Sequence, residues 1–255
     1  MNSIFRRLAA LALCILLMLP AAGFGADEPP QGGVGMDISG FRSYTFAGDP
    51  VDGSIFAESE LTVINIWQRW CGPCWIELPH FQQLHEYYSE TPEADVQVWG
   101  ALYYGDNPST IEQAIDFVAE NGYTWNHMVI CDELTLVAAD GELTEYIIIP
   151  QTLIVDRYGV VRAQVKGKVD SYEELFDLTS EWLEILRSEY AAELGDIDLD
   201  GSVTSVDALL ALRRSMGVVE LTQAELLRGD VNCDGEVDSV DALIILRMSL
   251  GILNR

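Results

Sequence analysis

Basic residues are scarce in this chain. Lysine and arginine together number 14 against 41 aspartates and glutamates, a formal net charge of −27 over 255 residues. That balance argues against nucleic acid and anionic membrane as partners. Histidine is scarcer still, at three residues, His80, His85 and His127. Cysteine is limited to five, two of them close together and the rest scattered, which is not the dense framework of a small disulfide-stapled fold. Long apolar runs are almost missing as well. The clearest, Leu8–Leu19, is too short for a comfortable membrane span. What remains is 49% apolar and 22% charged, a globular composition long enough for one medium domain and a smaller one.

That apolar run follows Arg6 and Arg7 and precedes the small residues Ala21–Gly25. The order is that of a signal peptide over residues 1–25, cleaved at Gly23 or Gly25, with Cys14 as filler of its apolar part. An uncleaved N-terminal anchor is the alternative. No stable membrane span is expected after cleavage. Export places Cys71, Cys74, Cys131 and Cys233 where disulfides persist.

Residues 26–36 are rich in proline and glycine and are expected to be a flexible leader. Phe41–Phe46 alternates as an edge strand does, and Asp49–Gly53 has turn composition. Leu61–Trp67 is a nearly continuous apolar run, as in a central strand covered on both faces. A helix follows, apolar at Ile76, Leu78, Phe81, Leu84 and Tyr88, with a kink expected at Pro79. Further strands are expected at Val96–Tyr103 and Met128–Ile130. A helix opens at Asn107–Ser109, and Leu134–Tyr146 is helical in part. Gln151–Val155 and Val160–Val165 form a hairpin, and Tyr172–Leu186 is a closing helix. Strands alternating with helices, then a hairpin and a last helix, make an α/β domain with a mixed sheet over residues 37–187. Residues 188–194 look like a short polar linker.

Trp70-Cys71-Gly72-Pro73-Cys74 lies at the junction of the central strand and the helix. A helix N-terminus favours a thiolate at Cys71, and Cys74, one turn on, can attack a mixed disulfide formed there. Pro73 fixes the turn. Ile149-Pro150, just before an apolar strand, can be cis. Half of a zinc site and a purely structural disulfide are the competing readings. No second cysteine pair supports zinc, and His80 and His85 share no helix face. Trp67, Trp99, Trp125 and Trp182 read as core, His127 as a satisfied strand-end residue, and Cys131 as a small buried hydrophobe.

Residues 37–187 resemble the thioredoxin-like fold, in particular its exported TlpA/ResA type. The resemblance rests on Val63-Ile64-Asn65-Ile66-Trp67, the Trp70–Cys74 motif, Glu77-Leu78-Pro79, and Ile149-Pro150-Gln151-Thr152 with Asp156 and Gly159. It implies that Pro150 is cis and faces Cys71, and that the chain exchanges thiols with protein disulfides. It makes Cys71, Cys74, Pro150, Trp70 and Glu77 the catalytic set. Asn65 stands where cytosolic thioredoxins carry a buried aspartate. An amide relays no proton, so water or Glu77 must. Asp106 lies near a position that is acidic in some members of the family.

Gly195–Arg213 recurs as Gly229–Arg247, an offset of 34 residues. Each copy sets oxygen ligands at loop positions 1, 3, 5, 7, 9 and 12, with glycine at 6 for the sharp turn. The first set is Asp196, Asp198, Asp200, Ser202 (through its carbonyl), Thr204 and Asp207. The second is Asp230, Asn232, Asp234, Glu236 (through its carbonyl), Asp238 and Asp241. Six to eight oxygens suit Ca2+ better than Mg2+, so two Ca2+ are expected, and chelation should unfold residues 195–251 while leaving the preceding domain intact. Cys233, at loop position 4, points away from such an ion.

The duplicated loop-and-helix pattern over residues 195–255 resembles a type I dockerin. That resemblance implies a cohesin partner on a cellulosome scaffold. It also implies recognition through Ser205, Val206, Arg213, Arg214, Ser239, Val240 and Arg247, and a pseudo-twofold module. Valine at the second recognition position and Met248 in place of an arginine depart from the usual pattern. The combined reading is an extracellular, scaffold-anchored thiol–disulfide oxidoreductase, with a lean toward disulfide reduction. An oxidase or isomerase, or a binding component without catalysis, are the alternatives. Peroxide reduction lacks the Thr-x-x-Cys arrangement usual for that chemistry.

Overall fold

The computed structural model describes residues 33–103, 108–141 and 147–253. The signal peptide, most of the leader and Asp106 lie outside them. β3 (Leu61–Trp67) is buried at every residue and forms the middle of a five-stranded sheet. The strand order is β5-β4-β3-β6-β7, with β4 (Val96–Leu102), β5 (Asn126–Val129), β6 (Gln151–Asp156) and β7 (Val161–Lys166). β3, β4 and β5 run parallel, while β6 and β7 run antiparallel to their neighbours.

Alternation along β3 explains its continuous apolarity. Leu61, Val63 and Trp67 face one layer, built from α1 (Gly72–Glu90) and α4 (Tyr172–Glu193). Ile64 and Ile66 face the other, where Phe41, Phe56, Leu134 and Val137 pack. Asn65 shares the parity of Val63 and Trp67, so its amide faces α1. That helix buries Cys74, Leu78, Phe81, Leu84 and Tyr88 at helical spacing and runs on through Pro79. α2 (Pro108–Glu120) and α3 (Asp132–Ala138) complete the domain.

Three local expectations need correction. Asp49–Gly53 is not a turn, because Pro50–Asp52 is strand β2, paired antiparallel with β1 (Arg42–Tyr44) in a separate ribbon. Proline is tolerated there as the first residue of an edge strand. Gly33–Met36 is not a free leader. The Gly35 N–H donates to the Val161 carbonyl at 2.7 Å, and the Val161 N–H donates to the Met36 carbonyl at 3.0 Å. The supposed linker is helix, since α4 continues to Glu193. Tyr190 extends its apolar stripe, four residues beyond Leu186, and Ala191, Ala192 and Glu193 carry the helix on.

The C-terminal module holds α5 (Ser205–Ser215), α6 (Gln223–Gly229) and α7 (Ser239–Ser249). Small residues, Ala208, Ala211 and Ala242, let α5 and α7 approach over Ile197, Val237 and Ile245. α6 was not expected. Its start is signalled by Thr222 and Glu225, which cap each other's backbone N–H groups.

His127 is buried as expected of a strand residue, but neither ring nitrogen has a hydrogen-bond partner among the described residues. Phe46, Trp67 and Trp125 pack against it with ring centroids 4.7–5.7 Å away. Burial pushes its pKa down to about 3, so it is neutral throughout the physiological range. The four tryptophans assigned to the core lie in or against it. Cys131 is half-buried, and burial raises its thiol to about 11.

Candidate functional site

The chain leaves β3 at Trp67 and enters α1 through Cys71, whose extended backbone (φ −90°, ψ 99°) makes it the N-cap. The Cys74 N–H donates to Cys71 Sγ at 3.1 Å. The two cysteines are joined in a disulfide, with Cα atoms 5.2 Å apart. They differ in access, with Cys71 at 8% and Cys74 at 0% exposure. Trp70, Trp75 and Ile76 project into solvent around them. Trp75 is nevertheless fixed. Its indole N–H donates to the Arg69 carbonyl at 2.7 Å, and its ring stacks on Phe117 at 5.7 Å. This clamp on the loop before Cys71 was not anticipated from sequence.

Ile149-Pro150 is a cis peptide. Ile66 pairs with Gln151, so the register carries Pro150 to the C-terminal end of β3, the end from which Cys71 departs. The Pro150 carbonyl accepts from the Gly167 N–H at 2.9 Å.

Behind Cys74 lies Glu77, one turn further along α1 and fully buried. Its Oε1 accepts from Asn65 Nδ2 at 2.7 Å, and its Oε2 accepts from the Val169 N–H at 2.9 Å. Desolvation pushes its pKa up to about 7, against the opposing pull of the Val169 N–H, the Asn65 amide and the Lys168 charge.

This shift has a sign for stability. Between the ordinary value of 4.5 and about 7 the folded chain binds more proton than the unfolded chain, so stability falls as pH rises through that window. Two to three pKa units correspond to about 3 kcal/mol. Glu77→Gln in the oxidised protein is expected to flatten this slope, read as urea midpoints of tryptophan fluorescence at pH 5 and 7.5. Parallel slopes in the two proteins would contradict the assignment.

The two acidic loops share their main side-chain-to-backbone hydrogen bonds. Asp207 Oδ1 accepts from the Ile197 N–H at 2.8 Å and Oδ2 from the Thr204 N–H at 2.8 Å. Asp241 accepts from Val231 and Asp238 in the same way, both at 3.0 Å. Asp196 and Asp230 each accept from the loop glycine, Gly201 at 2.9 Å and Gly235 at 2.8 Å. Leu199 and Cys233, at loop position 4, take the left-handed backbone at φ 54° and 58°. Carboxylate oxygens of Asp196, Asp198 and Asp207 converge within 4.8 Å of one another, as do those of Asp230, Asp234 and Asp241. Three convergent hard oxygens per loop fit a calcium ion. Asp200 is not among the converging carboxylates, while Thr204 and Asp238 act as helix caps.

Ser205, Val206, Arg213, Ser239, Val240 and Arg247 are exposed on α5 and α7; Arg214 is half-buried beside Glu220 at 3.8 Å. Between the two helices runs an apolar groove that includes Leu209, Leu212, Leu243 and Leu246. Sequence reasoning missed these leucines, although the 34-residue offset relates them pairwise.

A C-x-x-C pair with one slightly exposed cysteine and one sealed one, in this sheet and beside this proline, suits reversible exchange better than metal binding or a purely structural link. The N-terminal domain is a thioredoxin-like thiol–disulfide oxidoreductase. Residues 34–164 match the AhpC/TSA family, and the chain belongs to that family. Residues 194–248 match the dockerin type I domain, a domain class that binds calcium and cohesins.

The chain is 25% identical over 146 residues to the thiol:disulfide interchange protein DsbE of Pseudomonas fluorescens biotype C, covering 56% of this chain and 72% of that protein. It is 27% identical over 111 residues to DsbE of Pseudomonas aeruginosa, covering 42% and 52%. The chain thus spans about three quarters of the first of these relatives and about half of the second. A secreted thiol-disulfide isomerase from Corynebacterium glutamicum has a similar solved structure, with a TM-score of 0.48, 21% identity, and coverage of 58% of this chain and 85% of that one. Among the described residues no helix is long and apolar enough to cross a membrane.

Proposed function

We propose that this protein is an exported disulfide reductant held on a cohesin-bearing, cellulosome-type scaffold by its calcium-loaded dockerin. The observation that carries the redox half is the asymmetry of the pair, an accessible Cys71 in front of a sealed Cys74 backed by Glu77. The reduced Cys71 thiolate attacks a client disulfide, forming a mixed disulfide and releasing one client thiolate, which takes a proton from solvent. Cys74 passes its proton to the Glu77 carboxylate and attacks the Cys71 sulfur. The second client thiol leaves, and the Cys71–Cys74 disulfide remains. A carboxyl titrating near 7 can both take that proton and give it up at neutral pH. Asn65 holds the carboxylate without titrating. Trp70 and the backbone before Pro150 line the place where an extended client segment lies. Another round needs a reduced dithiol from a donor protein.

For the docking half, Asp196–Asp207 and Asp230–Asp241 hold one calcium ion each, with Ser202 and Glu236 contributing carbonyls. The groove flanked by Ser205, Val206, Ser239, Val240 and the arginines Arg213, Arg214 and Arg247 faces cohesin. The exposed leucines of that groove support this reading. The reduction potential of the pair, measured against glutathione, tests the direction. A value below about −200 mV is expected of a reductant, and one near about −120 mV, as for strong oxidants, would reverse the assignment. Equal insulin reduction by wild type and Cys71→Ser, or none by either, would point to a binding role instead.

A further inference from the structure

Arg228 is a buried cation outside both sites. It lies in the last turn of α6 at 5% exposure and has no carboxylate partner among the described residues. A buried charge is costly unless its donors are met. Here Nε and Nη2 both donate to the carbonyl of Ile197, at 3.3 and 2.9 Å. Ile197 is the second residue of the first calcium loop. The guanidinium carbon lies 5.8 Å from the ring centroid of Tyr158, on the β6–β7 turn of the redox domain.

The contacts continue into that domain. Tyr158 donates its hydroxyl to Glu193 Oε2 at 3.0 Å, at the end of α4, and packs edge-on against Tyr190 at 5.6 Å. Tyr190 donates to the Glu60 carbonyl at 2.9 Å, one residue before β3. On the calcium side, the Asp196 N–H donates to the Glu193 carbonyl and the Gly195 N–H to the Arg228 carbonyl, both at 2.9 Å. An unbroken set of contacts therefore joins the first loop to the central strand.

The arrangement is confined to one repeat. At the 34-residue offset, Arg228 corresponds to Leu194, which has no guanidinium to cap the Val231 carbonyl of the second loop. The pseudo-twofold module is thus held asymmetrically.

We propose that Arg228 is a latch through which the first calcium loop and the redox domain stabilise each other. A loop closed around an ion keeps the Ile197 carbonyl aimed at Arg228, which stays desolvated against Tyr158. A loop that opens deprives the guanidinium of its acceptor and uncovers Tyr158, Glu193 and the end of α4. By linkage, the redox domain raises calcium affinity at the first loop and not at the second. The inference goes beyond the docking role and rests only on calcium entering these loops.

All six tryptophans lie between Trp67 and Trp182, so tryptophan fluorescence melts report the redox domain alone. The full-length oxidised chain is melted in EDTA and in CaCl2, with calcium binding followed separately by calorimetry. At about a hundredfold excess over the dissociation constant, calcium is expected to raise the tryptophan midpoint by about 5 °C or more. In Arg228→Met, which keeps the side-chain stem, both ions still bind but most of that rise disappears. Tyr158→Leu cuts the other end of the latch and must lose the rise as well. It serves as the deciding variant where Arg228→Met does not fold.

Calcium binding without movement of the wild-type midpoint overturns the latch, as does a full rise in the variants. Absence of calcium binding in the wild type removes the calcium reading itself, and calorimetry separates that outcome from the others.

Discussion

Cys74→Ser is expected to leave clients covalently attached at Cys71. The serine cannot displace the client sulfur, so the mixed disulfide accumulates. Multiple turnover should fall by more than about a thousandfold, the scale seen when a covalent residue is removed. The access asymmetry makes the prediction directional. Cys71, at 8% exposure, is the sulfur a protein client can reach, and Cys74, at 0%, is not. Cys71→Ser should therefore lose the same activity and trap nothing. Adducts are read on non-reducing gels and must be released by dithiothreitol. Trapping by Cys71→Ser and not by Cys74→Ser would exchange the two roles.

The second large effect follows calcium removal. Asp207 and Asp241 each organise a loop through backbone N–H groups before any ion enters. The remaining carboxylates repel one another without a cation, and desolvation followed by the Asp207 charge already raises the pKa of Asp198. Chelation, or Asp207→Ala with Asp241→Ala, is expected to melt α5–α7 and strongly weaken cohesin capture. A partner would then have to order the module itself, at a cost of about 2–5 kcal/mol, which weakens binding by about 30-fold or more. Circular dichroism and cohesin pull-down with and without EDTA check this. Retained helix and retained capture in EDTA would contradict it. The sequence alone implied that the redox domain stays intact under such treatment. The Arg228 contacts change that expectation, to a domain that stays folded at room temperature yet melts earlier.

The legible parts of the chain are those where local pattern and tertiary fate agree. β3 announces itself as seven apolar-rich residues because both of its faces are covered. The calcium loops announce themselves because glycine at position 6 and oxygen ligands at fixed spacing have few other uses. The thiol pair is readable for the same reason.

The misread parts are those where one composition serves two structures. Ser188–Leu194 has the polarity of a linker and the propensities of a helix, and Tyr190 decides between them through its contacts with Glu60, Arg157 and Tyr158. Pro50 looks like a turn until its strand proves to be an edge. Gly33–Met36 is ordered by Val161, more than a hundred residues away, a pairing no local signal contains. Glu77 was visible as a candidate, but its raised pKa depends on burial and on the Val169 backbone, which only the fold supplies. Arg228 carried no signal at all, since a single arginine at a helix end is ordinary.

The uninterrupted course of α4 also fixes a direction. Its C-terminal end is tied to Glu60, at the start of β3, whereas Cys71 follows the finish of that strand. Seven extended residues span about 20 Å, so the disulfide is displayed on the side remote from the C-terminal module. With no slack between the two, the reactive sulfur cannot swing back over the C-terminal module. Under the docking proposed above, the disulfide faces away from the scaffold, toward molecules that arrive from outside the assembly.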